Sequence, residues 1–265
     1  MDYTVWLIYL GVGVVVGFLT GLLGIGGGTV IVPILSLIFA AKGFPASNVI
    51  HMALGTSLAA IIIGSISSAR EHHAHGAVDW VLVRKLAPTI AIGTFVGAVF
   101  AHFIAVALLK TFFVGLVCVI AAQLLFDIRP KAHRGLPGST GLAVFGSVMG
   151  FLSSLAGIGG AVFTITFLSW CNVQLRAAIG TAAAVGIPIS VAGTAGFIAT
   201  GLVEGNLPPW SVGYVYLPAW VGISVASYFV APLGAKLAHR IPVNVLKKVF
   251  MVFIVALAVK MAISV

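Results

Sequence analysis

The sequence predicts an all-α polytopic membrane protein, built as two inverted repeats of five hydrophobic segments with helices broken at glycine-rich motifs. Three observations carry that prediction. The first is composition: of 265 residues, 61% are apolar and only 7% charged, with a mean hydropathy of +1.21. A soluble domain carries roughly a quarter charged residues, and one this short leaves much of its surface in water. A soluble enzyme, a nucleic-acid binder and a disordered chain are thereby excluded. The second is the presence of ten apolar segments, five in each half; a span needs about 20 apolar residues, so ten use about 200. The third is that motifs recur in the same order in both halves.

The segments run as follows. Residues 4–23 come first; no positive n-region precedes them and they continue into a glycine motif, so they read as a retained span rather than a signal peptide. Residues 29–41 follow a glycine run and make about 20 Å of helix, short of the ~30 Å hydrocarbon layer. Residues 52–69, 86–105 and 108–126 complete the first repeat, taken as 1–128. A basic linker, 129–138, leads to the second repeat, 139–265. There the segments are 140–156, the short 159–171 after another glycine run, 178–200, 211–233 and 246–264. Whether each short segment crosses the membrane fully is not settled by length; it can join an unwound glycine stretch and a half-helix to part of the neighbouring loop.

The repeat is visible residue by residue. Gly17-Phe18-Leu19-Thr20-Gly21-Leu22-Leu23-Gly24-Ile25-Gly26-Gly27-Gly28 is answered by Gly150-Phe151-Leu152-Ser153-Ser154-Leu155-Ala156-Gly157-Ile158-Gly159-Gly160-Ala161. Ala53-Leu54-Gly55-Thr56-Ser57 is answered by Ala178-Ile179-Gly180-Thr181-Ala182, Leu86-Ala87-Pro88 by Tyr216-Leu217-Pro218, and Leu109-Lys110 by Leu246-Lys247.

Charge chooses the topology. If all ten segments change sides with the N-terminus outside, Arg70, Arg84, Lys85, Arg129, Lys131, Arg134, Arg176, Lys236, Arg240, Lys247 and Lys248 are cytoplasmic, and only Lys42, Lys110 and Lys260 are outside. With re-entrant short segments the split is even. The positive-inside rule prefers the first arrangement. Five crossings per repeat invert one half against the other and leave both termini outside. Inverted repeats with interrupted helices at the midplane mark secondary transporters.

The glycine runs are the candidate site. Gly24, Gly26, Gly27 and Gly28, with Gly157, Gly159 and Gly160, break the helix, and irregular backbone at membrane depth is tolerated only inside protein or beside a watery cavity. The half-helices that follow present free N–H groups and a positive dipole end, which suit an anion. Hydroxyls near the breaks complete a shell: Thr20, Thr29, Thr56, Ser57, Ser153, Ser154, Thr164 and Thr181. Thr56 and Thr181 form the best pair because they recur in both repeats; capping or bonding to the i−4 carbonyl is the competing role. Gly13, Gly17 and Gly21, like Gly146 and Gly150, are spaced by four and also suit close helix packing. His51 and Arg176 stand at equivalent places before the third and eighth segments, as entry charges for an anion or as ordinary interfacial groups.

The doubled GFLxGLLGIGGG-type motif, the Gly55-Thr56-Ser57 triplet and the stretch His75-Gly76-Ala77-Val78-Asp79-Trp80 resemble the sulfite exporter TauE/SafE family over nearly the whole chain. The resemblance implies a multi-pass transporter of the bacterial inner membrane. Its implied substrate is a small sulfur oxyanion or organosulfonate, such as sulfite, a sulfonate or sulfoacetate. The second repeat departs from the pattern at Ala161, Thr166 and Ala182, so the two half-sites are not chemically equal.

The acidic residues argue independently. Asp2, Glu71, Asp79, Asp127 and Glu204 all fall in loops or at segment ends, whereas a cation transporter places a carboxylate inside the membrane. A cation substrate and a carboxylate proton relay are disfavoured, and proton coupling would need His51, His102 or the anion itself. Export of an anion runs downhill in the membrane potential at about 2.3 kcal/mol per charge per 100 mV; a passive anion channel on the same site is the alternative. An integral-membrane enzyme lacks support: there is no HExxH, buried carboxylate or triad. The histidines of Glu71-His72-His73-Ala74-His75 do not have the i, i+4 spacing of helix-borne metal ligands and read as a solvated segment. Cys118 and Cys171 are isolated and read as packing residues. Trp6, Trp80, Trp210 and Trp220 fall near segment ends, as interfacial belts do. No cofactor, metal or nucleic acid is expected. The bilayer is the one partner besides substrate, and a homo-oligomer is compatible with this reading.

Overall fold

The computed structural model describes residues 3–23, 27–125, 135–238 and 243–264. Among them each predicted apolar segment forms one helix: α1 (Tyr3–Leu23), α2 (Gly28–Ala41), α3 (Ala46–Ala74), α4 (Trp80–His102), α5 (Val106–Leu125), α6 (Ser139–Ala156), α7 (Ala161–Trp170), α8 (Leu175–Gly201), α9 (Leu217–Ala238) and α10 (Val243–Ser264). The predicted site residues Gly24 and Gly26, and linker residues 129–134, lie outside the described residues.

The ends differ from the apolar runs for local reasons. α4 begins at Trp80, ahead of the run, because the Asp79 side chain accepts from the Leu82 amide at 3.0 Å and satisfies a donor the helix cannot. Segment 211–233 does not start as helix. Ser211–Val212 (β1) pairs antiparallel with Val215–Tyr216 (β2), around Gly213 at φ +54. The Tyr214 amide then donates to the Phe197 carbonyl at 3.2 Å, which holds this hairpin against α8.

Among the described residues, six helices are long and apolar enough to cross a membrane: α3, α4, α5, α6, α8 and α9. α7, at ten residues, reaches about 15 Å, half of a ~30 Å core. The apolar window of α3 is 78% buried against 28% for α5, so α3 is central and α5 peripheral. Large apolar side chains such as Ile92, Phe100, Val119, Val148 and Phe229 point outward, as lipid-facing residues do.

The most extensive helix pairings join the two halves: α1 with α9, α4 with α6, α3 with α8, and α4 with α8. Glycines make the first two possible. A Cβ at Gly13 would meet Ile223 and Ala226, and one at Gly17 would meet Ser227; one at Gly146 would meet Thr89 and Ile90, and one at Gly150 Ile90 and Thr94. These four are packing glycines, and the Ser227 hydroxyl donates to the Gly13 carbonyl at 3.1 Å. Trp220 is no free belt residue: its indole donates to the Ala59 carbonyl at 3.0 Å and ties α9 to α3.

Candidate functional site

The break between α6 and α7 is built by glycine conformation. Gly157 closes α6 at φ +61, and Gly160 opens α7 at φ +67, the left-handed region that other residues enter only at a cost. The amides of Gly157 and Ile158 turn back onto the Ser154 and Ser153 carbonyls. Gly27 before α2 is different: it sits at φ −61, open to any residue, and its constraint is space, since a Cβ would run into Val16 and lie 3.1 Å from Thr20 Oγ1. In the second repeat a Cβ at Gly160 would lie 3.0 Å from Ser153 Oγ. Each break thus lies under the hydroxyl at the same place in its own repeat.

The two breaks meet. A Cβ at Gly28 would run into the Gly157 carbonyl and lie 2.8 Å from Ile158 Cα. Ser57 donates to that same Gly157 carbonyl at 2.8 Å. Ala182 stands at the matching place in the second repeat, so this bond has no counterpart there. Gly159 packs near Ile61, and Gly157 near Leu54 and Val32.

Neither half-helix has a side-chain cap, at Gly27 or at Gly160, and residues 27–33 and 153–161 are buried. The first amides of a helix have no intrahelical partner, so such ends call for another acceptor. Among the described residues, two buried hydroxyls beside them, Thr29 and Ser153, also have no hydrogen-bond partner. Thr164 is already engaged, its one hydroxyl hydrogen facing Gly160 O at 3.0 Å and Met149 Sδ at 3.2 Å as acceptors.

The half-sites differ in free space. Beside Gly27 a cavity of about 20 Å³, lined by Thr20, Gly27, Gly64, Ser65 and Ser227 among others, has room for about one water. Beside Gly160 the Ile189 side chain fills the corresponding space, with Ile189 in α8 standing where α3 carries Gly64.

Other predicted residues lie elsewhere. The Thr56 hydroxyl oxygen accepts from the Tyr216 amide at 3.0 Å, and that of Thr181 from the Asp79 amide at 3.1 Å. These matched threonines hold the entries to α9 and α4, with Gly55 and Gly180 packed on the backbones of Tyr214 and Ala77. Arg176 is exposed in the first turn of α8. His51 is not at an open mouth: it is buried in α3, with Nε2 3.0 Å from the Ala101 carbonyl and Nδ1 3.2 Å from the Ser47 carbonyl. Of the acidic residues, Glu71 lies near the end of α3, Asp79 caps α4 and Glu204 follows α8; Asp2 and Asp127 lie outside the described residues. Sequence reasoning missed the cavity-lining Ser65 and Ser227; single serines on two helices leave no motif to find.

Compared with known proteins, the chain matches the family described as Sulfite exporter TauE/SafE over residues 9–261. It is 38% identical over 261 residues to a probable membrane transporter protein of Haemophilus influenzae, covering 98% of each chain. It is 32% identical to one of Bacillus subtilis, over 87% of this chain and 89% of the relative. It is 30% identical to one of Methanocaldococcus jannaschii, over 87% and 85%. No solved structure matches.

Proposed function

The chain belongs to the sulfite exporter TauE/SafE family, a family of membrane transporters, and from that premise we infer that it exports a small sulfur-containing anion, such as sulfite, a sulfonate or sulfoacetate, across the bacterial inner membrane. The observation that carries this reading is the meeting of two buried, uncapped half-helix starts at Gly27–Gly28 and Gly157–Gly160. Their free amides and positive dipole ends are what an anion needs, and the unpartnered Thr29 and Ser153 hydroxyls supply further donors. The described acidic side chains stand at helix ends or beyond, which favours an anion over a cation.

The packing supports alternating access. In the present arrangement Gly28 lies directly on the Gly157–Ile158 backbone, so the anion enters only when the two breaks separate. The helix pairings support two like-folded repeats, 1–128 and 139–265; their opposite sense rests on the odd number of segments in each. Shifting every label by five turns α1·α9 into α6·α4, α3·α9 into α8·α4 and α2·α3 into α7·α8, while α3·α8 and α5·α10 map onto themselves. Rocking one repeat on the other opens the glycine contact from either side. Because basic residues bias toward one face, we place both termini outside. The cavity beside Gly27 makes the first-repeat half-site the roomier one, with Thr20 and Gly27 bearing the first contacts.

Reconstituted into liposomes, the protein is expected to carry sulfite or a sulfonate with saturable kinetics. Clear uptake of a cation or a sugar, with no sulfite or sulfonate flux, overturns the reading.

A further inference from the structure

His51 has an unusual set of neighbours for a buried histidine. It is 4% exposed, and both of its ring nitrogens face carbonyl oxygens: Ala101 O at 3.0 Å and Ser47 O at 3.2 Å. A carbonyl only accepts. A neutral imidazole has one N–H and one lone pair, so it satisfies one of these contacts and turns a lone pair toward the other; only the imidazolium donates to both. Ala101 is in the last turn of α4, where the negative end of the helix dipole favours a cation. The Tyr214 ring stacks on the imidazole, with centroids 5.2 Å apart and planes at 27°. The remaining titratable groups come from the elements packed around it. Glu204, in the segment after α8, accepts from the Tyr214 hydroxyl at 3.2 Å. His102, the last residue of α4, has Nδ1 3.1 Å from that hydroxyl and 3.9 Å from the Glu204 carboxylate. Four separate stretches of chain therefore converge: the start of α3, the end of α4, the loop after α8 and the hairpin before α9.

We propose that His51 is a proton-binding site that latches the start of α3 to the end of α4, so that gain or loss of its proton sets how readily this end of the bundle opens during anion transport. With the proton bound, both carbonyls are held; without it, one hydrogen bond is lost, and in the tautomer that keeps its N–H on the Ser47 carbonyl the end of α4 is released. Partly exposed Glu204 and His102 give the proton a path from outside the bundle. The matching residue of the second repeat, Arg176, is exposed on the surface, so the latch exists at one end only. This control rests on the transport reading; the proton site itself does not.

The test has two arms on the full chain. In lipid nanodiscs, ¹⁵N-histidine NMR assigns the His51 ring by its absence in His51→Gln. The ring is expected to pass between doubly and singly protonated forms within about pH 5–8, the window in which histidine switches, and to shift that transition in Glu204→Gln. A ring that keeps one protonation state throughout overturns the proposal. In liposomes, methanesulfonate is the probe, because its own charge is constant over this range. Losing one hydrogen bond to a charged donor corresponds to a change of about tenfold, so wild-type flux is expected to vary by about that factor across the range. His51→Gln should flatten the profile and His73→Gln leave it unchanged. A His51→Gln profile that follows the wild type overturns the proposal. If the wild type carries no methanesulfonate at any pH, transport of this substrate fails, and the NMR arm still decides the proton site.

Discussion

Replacing Gly157 by Ala tests the packed centre of the molecule. Gly157 sits at φ +61, and an alanine Cβ there would lie 2.8 Å from Leu54 Cδ2, 2.9 Å from Val32 Cγ2 and 3.1 Å from Leu54 Cα. The left-handed conformation costs a non-glycine residue about 1–2 kcal/mol. Forcing a methyl into a packed site costs about 1–3 kcal/mol more, for a total of about 2–5 kcal/mol. Gly43 separates the two terms: it has φ +73, but nothing stands within 4 Å of its Cβ position, so Gly43→Ala should cost only the conformational part, about 1–2 kcal/mol. Thermal unfolding of the purified full chain in detergent, followed by tryptophan fluorescence, compares the two variants with wild type. At about 2–4 °C per kcal/mol for a chain of this size, Gly157→Ala should melt about 2–12 °C below Gly43→Ala. If the two melt together, the break is not packed against α2 and α3 as described, and the argument for a site where the repeats meet fails with it.

Four further outcomes are expected. Ser57→Ala removes the donor to the Gly157 carbonyl and should cost about 1 kcal/mol while insertion stays normal, since Ala182 holds the matching place; an unchanged melting point would contradict that bond. Thr56→Val and Thr181→Val each strand a backbone amide, of Tyr216 and Asp79, and should lower stability by similar amounts of about 1–3 kcal/mol; a large inequality in their unfolding midpoints would count against equivalent roles. Gly27→Leu and Gly160→Leu should each abolish flux in liposomes without abolishing membrane insertion, and retained flux would discredit the proposed site. Tyr214, in the hairpin outside the helices, has its phenol pKa raised by burial, by the Glu204 charge and by the hydrogen bond to Glu204. The unfolded chain therefore ionises first, near its ordinary pKa of about 10. The stabilisation is complete below that pH and is lost as pH rises above it. Tyr214→Phe should flatten the alkaline fall in melting temperature, and an equal fall in both proteins would refute the assignment.

The helices and the places where they break were legible in the sequence because each depends on local chemistry. An apolar run near span length forms a helix in lipid, since no other open structure satisfies its backbone there. Clustered glycines, Gly24-Ile25-Gly26-Gly27-Gly28 in one half and Gly157-Ile158-Gly159-Gly160 in the other, mark where it is interrupted. The same local reasoning misplaced ends where a side chain or a turn intervened, as Asp79 does before α4 and Gly213 before α9. It could not tell whether a glycine is needed for conformation or for room. Gly157 and Gly160 are needed for conformation as well as room, Gly27 and Gly28 for room alone.

Partnership was decided only in three dimensions. Within a membrane the apolar pattern that forms a helix does not say which helix it faces, because lipid is as apolar as its neighbours and association rests on close fit and polar contacts. So the sequence by itself determined that the chain crosses a bilayer, that it repeats and where its helices break. The tertiary structure decided that Gly28 meets Gly157, that the Thr56 and Thr181 oxygens accept from the amides of Tyr216 and Asp79, and that His51 lies among Tyr214, His102 and Glu204. Those contacts join residues as many as 163 positions apart, as His51 and Tyr214 are, and no periodicity along the chain encodes them.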